Sequence, residues 1–210
     1  MMLNGAQYTM TRNTLHLNLL ILVFATFFLK PGSALAVGRT ENTLPNFPDF
    51  YKSVQNGEAN VLRGVYVTNV LALPVIQQPA NYPYYVSNRN GEITQFSVAS
   101  QYGNIGLLAH NTLSGRFFSK LAVGQEVGLV YGDGKIEYFL VANVLRFQAL
   151  DPESVLSSFR NLDKNEVISA GDTFNRAYVG ERRVVFQTCI EENGNMSWGR
   201  LFVVAVPKEQ

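Results

Sequence analysis

From residue 61 onward the chain alternates short apolar runs with turn residues, and most runs are too short for a helix. Residues 61–75 are rich in Val and Leu and reach Pro74. Residues 93–97 follow the turn Asn90-Gly91, and residues 105–110 form another strand-like run. The clearest hairpin joins 127–131 to 136–147 through Gly132-Asp133-Gly134, an Asp-Gly turn between β-branched and aromatic runs. Residues 183–190 and 200–206 are the last two predicted strands, with ten residues from Ile190 to Gly199 between Cys189 and Arg200. One or two helical turns are predicted over 112–121 and over 173–178. Asp151-Pro152-Glu153 has the signature of a helix start, with Asp151 as the cap and Pro152 in the first turn. Many short strands with few helices predict an all-β barrel or sandwich.

The first 36 residues follow a different pattern. Arg12 precedes the apolar stretch 17–29, and Lys30 and Ser33-Ala-Leu-Ala36 follow it. A basic start, a 13-residue apolar core and an Ala-x-Ala ending predict a secretory signal cleaved after Ala36. As a helix that core rises about 20 Å, short of the ~30 Å hydrocarbon layer. An uncleaved membrane anchor using residues 15–29 is the alternative. Either reading puts the remainder outside the cytoplasm, secreted or at the outer face of the membrane. Residues 37–60, with Gly38, Pro45, Pro48 and Gly57, read as a spacer, and 61–210 as the functional domain.

Composition narrows the function. The chain is 47% hydrophobic and 16% charged, a globular balance. Of its 17 basic residues, Arg12 and Lys30 lie in the leader, so the rest carries a formal charge of about −1. Arg182-Arg183 is the longest basic run, and nucleic acid is not an expected partner. There is no Cys/His cluster of zinc spacing, no phosphate loop, no Gly-x-Ser-x-Gly elbow and no convincing calcium-binding set of carboxylates. No cofactor is expected.

The residues able to do chemistry are few. Cys189 is the only cysteine, and outside the leader His110 is the only histidine. An unpaired thiol on an exported protein is either a small buried apolar residue or a reactive group. If the last two strands pair, Arg200 returns beside Cys189, and a fixed positive charge there favours a thiolate or an oxyanion. His110 ends its own strand, and spacing alone does not relate it to Cys189. Thr188 is either a strand residue or a part of the site.

Gly106-Leu-Leu-Ala-His110-Asn111, Thr188-Cys189 and Trp198-Gly-Arg200-Leu-Phe-Val-Val-Ala205 resemble the signature regions of sortases, in the same His, Cys, Arg order. The resemblance spans about residues 61 to 207. It implies a closed sortase-type β-barrel and a cysteine transpeptidase. Cys189 would attack a backbone carbonyl in a sorting signal, His110 would act as general acid and base, and Arg200 would stabilise the oxyanion. Thr188 would help to shape the substrate site. The implied partners are a secreted protein or peptide bearing the signal and an amine acceptor at the cell envelope. A water-using endopeptidase of the same fold, or a non-catalytic exported barrel that binds a surface partner, are the competing readings.

Overall fold

The computed structural model describes residues 44–209. The leader expected over 1–36 and the first part of the expected spacer lie outside the described residues. In chain order the elements are α1 (Phe47–Val54), β1 (Leu62–Val67), β2 (Leu71–Gln77), β3 (Ile93–Phe96), α2 (Ser97–Ser100) and β4 (Ile105–Leu108). A 3₁₀ helix (Ser114–Lys120) then precedes β5 (Glu126–Tyr131), β6 (Ile136–Ala149), β7 (Phe159–Asn161) and β8 (Val167–Ile168). The chain ends with α3 (Ala170–Tyr178), β9 (Val184–Glu192) and β10 (Asn195–Pro207).

The strands hydrogen-bond in the order β10-β9-β4-β3-β2-β1-β5-β6, and β6 pairs back onto β10. That last ladder closes eight strands into a barrel and removes both sheet edges. Strands β7 and β8 continue from the C-terminal part of β6, where Phe147 faces Asn161. Most neighbours are antiparallel; β2 with β3 and β4 with β9 are parallel.

Alternation along the strands divides the apolar residues between two cores. Val65, Leu73, Leu107, Leu129, Phe139, Phe186 and Val203 fill the barrel. Phe147, Phe159, Tyr178, Val185, Phe202 and Val204 form a second cluster. On β9 and β10 the cluster changes with every residue, as a period of two requires. The second cluster therefore lies on the outer face of these strands, covered by α3 and the β6–β7 region. Each large side chain so buried contributes roughly 1.5–3 kcal/mol.

The expected spacer over 37–60 contains a helix. Asn46 caps α1, accepting the Asp49 N–H at 2.9 Å, and Pro48 sits in the first turn. Its buried anchor is Phe50, which fits because β1 has a glycine beneath it: a Cβ on Gly64 would lie 2.8 Å from Phe50 Cζ. An eight-residue helix among prolines shows too few turns to reveal a period.

The helix expected at Asp151 does not form; 150–158 is a chain of turns. Its serines take the backbone donors that a helix would use. Ser157 Oγ accepts the Asp151 N–H at 3.0 Å, and Ser154 Oγ accepts the Leu156 N–H at 3.2 Å. The last two strands also run further than expected. They meet at Asn193-Gly194, both at positive φ (52° and 81°), the geometry of a two-residue hairpin turn.

Candidate active site

Cys189 and Arg200 are direct cross-strand partners in the β9–β10 ladder. Paired residues of an antiparallel ladder point to the same face, with Cβ atoms about 4.5–5.5 Å apart. Here that is the outer face, shared with Val185 and Gln187 on β9 and with Phe202 and Val204 on β10.

The parallel ladder brings in the third residue. Leu107 pairs with Phe186 and Leu108 with Gln187. The ladder runs one residue past β4, because the Ala109 N–H donates to the Gln187 carbonyl at 3.3 Å. Continuing this register brings His110 level with Cys189, on the face shared by Gly106 and Leu108. His110, two residues past the end of β4, thus follows on the ladder toward the end of the barrel that holds the paired Cys189 and Arg200, and the three side chains line different clefts.

A tight turn holds His110 at the end of its strand. Its carbonyl accepts from the Leu113 N–H at 2.9 Å and the Gly115 N–H at 3.0 Å. Asn111 then donates to the Met196 carbonyl at 3.0 Å, tying this turn to the β9–β10 hairpin. Gly115 leaves no room for a side chain: a Cβ there would lie 2.7 Å from each of the Ala109 and His110 carbonyl oxygens and would collide with Thr188 Oγ1.

The three side chains differ in setting. Cys189 is half-buried, in a cleft shared with Asn111, Arg116, Glu191 and Met196. His110 is exposed beneath the loop that carries Tyr82, Tyr84 and Tyr85. Arg200 is half-buried at one end of a groove on the outer face, and Tyr84 lines both that groove and the His110 cleft. No hydrogen bond joins the three side chains among the described residues. Arg200 Nη1 donates to the Ser197 and Gly199 carbonyls at 2.9 Å each, which fixes the guanidinium at the strand entrance. None of the six ion pairs among the described residues includes Arg200. Its charge has no carboxylate partner there and is available to an oxyanion.

Thr188 does not share the Cys189 face. As the next residue on the strand it points into the barrel, opposite Leu201, and is only 5% exposed. Its hydroxyl is buried without a partner among the described residues. It stands behind the nucleophile in the strand and also lines the cleft that holds Cys189.

The groove also contains residues that the sequence did not single out. Its walls come from Phe96, Phe159, Phe174, Tyr178 and Phe202, and Gln187 lies among them. The Tyr178 hydroxyl donates to Gln187 Oε1 at 2.6 Å. Asn104 secures α3 against the start of β9, donating to the Tyr178 carbonyl at 2.6 Å and accepting the Arg183 N–H at 2.9 Å. Strand alternation is the signal that would have exposed Gln187, two residues from Cys189 and therefore on its face.

Burial raises the pKa of the Tyr178 hydroxyl well above that of an ordinary tyrosine. Tyr131 is raised to about 12, by burial first and then by Glu137. Both groups keep their protons in the folded state at pH values where an unfolded tyrosine, with a pKa of about 10, has lost its own. Their contribution is fully present below pH 10 and falls as pH rises above it. Urea midpoints measured from pH 8 to 11 should fall for the native sequence, and less steeply for Tyr178→Phe.

The fold is an eight-stranded closed β-barrel in which Cys189 and Arg200 pair across the last hairpin. No protein-family model and no curated protein matches the chain. Solved structures to which it is similar are sortases, the family that the sequence resembles. Sortase C1 of Streptococcus agalactiae, in its complex with MTSET, is 16% identical over 70% of this chain and 67% of that one, with a TM-score of 0.45. Sortase C of Clostridium perfringens SM101 is 13% identical over 78% and 83%, with a TM-score of 0.44. Sortase A of Listeria monocytogenes is 13% identical over 71% and 88%, with a TM-score of 0.46. The barrel assignment rests on the chain's own hydrogen-bond ladder.

Proposed function

We propose that this chain is an exported cysteine transpeptidase, cleaving a peptide bond in a sorting signal and passing the acyl group to an amine at the cell surface. One observation supports the reading most directly: Arg200 pairs with Cys189 across the last hairpin, and His110 follows directly on the parallel ladder that β4 forms with the cysteine's strand. The leader pattern in the sequence supports action outside the cytoplasm.

The chemistry follows from that placement. His110 takes the thiol proton as Cys189 Sγ attacks the scissile carbonyl carbon. Arg200, which makes no ion pair among the described residues, faces the oxyanion of the tetrahedral intermediate. The intermediate collapses as the C–N bond breaks, and His110 gives the proton to the departing amine. A thioester remains. An incoming amine then loses a proton to His110 and attacks the thioester, forming a new amide and returning the proton to the thiol. Two acyl transfers of moderate barrier replace one difficult exchange.

The test is mass spectrometry of a peptide library incubated with the protein, with and without a small primary amine. An amide product that appears only with the amine, together with an acyl adduct on Cys189, is the expected result. Free acid as the only product, whatever the amine concentration, would make the protein an endopeptidase. No adduct, with Cys189 alkylated no faster than a buried thiol, would make it a non-catalytic binding module.

A further inference from the structure

The groove on the outer face of the cysteine's strand is walled mostly by aromatic and aliphatic side chains, with Ser154 and Thr173 contributing hydroxyls. Arg200 is its only charged lining residue, and Gln187 places a primary amide among the aromatic walls. This amide has a fixed orientation. Tyr178 is 1% exposed, and Gln187 is the one partner of its hydroxyl among the described residues. A buried O–H must donate, so Gln187 Oε1 is the acceptor and the NH2 group points away. Gln187 Nε2 has no hydrogen-bond partner among the described residues, although Gln187 is half-buried and lines the groove. Elsewhere, the Lys135–Glu137–Arg182–Tyr131 cluster on the barrel surface already pairs its own charges.

We infer that Gln187 is a specificity residue, reading a hydrogen-bond acceptor on the side chain of the bound peptide about two residues from the scissile carbonyl. The inference rests on the acyl-transfer reading for its register. Gln187 and Cys189 lie on one face of β9, about 6.6 Å apart along the strand, and an extended peptide rises about 3.3 Å per residue. A substrate whose carbonyl meets Cys189 and Arg200 therefore carries its second residue over the amide. An Asn or Gln side chain there gives Nε2 its missing acceptor. A Leu or Met covers that donor with hydrocarbon and leaves it desolvated without a partner. Tyr178 is a positioning residue: it holds the amide in one rotamer and so removes entropy that binding would otherwise have to overcome.

Binding and turnover are measured separately. The Cys189→Ala chain, which cannot turn over, is titrated with neutral capped decapeptides in which each position is exchanged between Asn and Leu and between Gln and Met. At one position the polar member should bind about tenfold more tightly. Gln187→Leu in the same background should reverse the preference, and Tyr178→Phe should weaken it without reversing it. An unchanged preference after Gln187→Leu overturns the inference, as does the lack of a polar preference at every position or the absence of any binding. Thioester formation by the native chain is read on the same peptides. Binding that depends on Gln187 without a thioester refutes the transpeptidase reading alone. A thioester formed equally well with and without Gln187 refutes the specificity assignment alone.

Discussion

If the proposed acyl transfer is right, Cys189→Ala should remove thioester formation and peptide turnover together, with a fall in rate of more than about 10⁴-fold. Cys189 is the only cysteine in the sequence, and Arg200 is its direct cross-strand partner. Removing the nucleophile of a covalent mechanism leaves only the contribution of binding and oxyanion stabilisation. Stability should change little. The thiol is half-buried, and replacing it with a methyl group leaves its strand, hairpin and cross-strand partner in place. Intact-mass measurement after incubation with peptide and a thermal melt of the same sample test both halves. A Cys189→Ala protein that still transfers peptide would show that the chemistry resides elsewhere.

The second large effect comes from a residue with no side chain. Gly115→Ala should lower kcat/KM by about 100-fold while His110, Cys189 and Arg200 all remain. The new methyl group meets two backbone oxygens, those of Ala109 and His110, in addition to Thr188 Oγ1. Shortening Thr188 relieves only the side-chain collision, so Gly115→Ala/Thr188→Ala should recover little. The main-chain atoms must move, and they belong to the turn that sets where the imidazole sits. Displacements near 1 Å carry penalties of this size when a reacting group depends on geometry. The folded state should lose about 1–3 kcal/mol, as overpacked sites do. A full rate with a normal melt would show that the turn yields without moving His110.

Much of the barrel was legible in the sequence. Turn residues and β-branched runs mark the β5–β6 hairpin at Gly132-Asp133-Gly134, and the helical turns expected over 112–121 are present as the 3₁₀ helix Ser114–Lys120. Polar strands were harder to see. Glu191, Glu192 and Asn195 are polar and conceal the ends of β9 and β10, so in the sequence the Asn193-Gly194 turn looks like the middle of a loop. Strands β7 and β8 are three and two residues long, too short to show alternation. Asp151-Pro152-Glu153 has sound helix-start chemistry, but competing serine hydroxyls outweigh it. In the site, the hairpin logic correctly paired Arg200 with Cys189. Alternation alone puts Gln187 on the Cys189 face and Thr188 on the opposite one. His110 was beyond local reasoning, because its alignment depends on a parallel pairing between strands far apart in sequence.

That parallel pairing also sets an order of events. Strand β4 cannot join β9 until the intervening chain is available, and the β10–β6 ladder closes the barrel with the last of the described strands. Contacts so distant in sequence form late and slowly, because the loop entropy must be overcome before they contribute. A chain still emerging, or threading a membrane in extended form, has its histidine and its cysteine on unconnected segments. The site comes together only when the C-terminal hairpin docks, so the time of arming is set by the completion of folding.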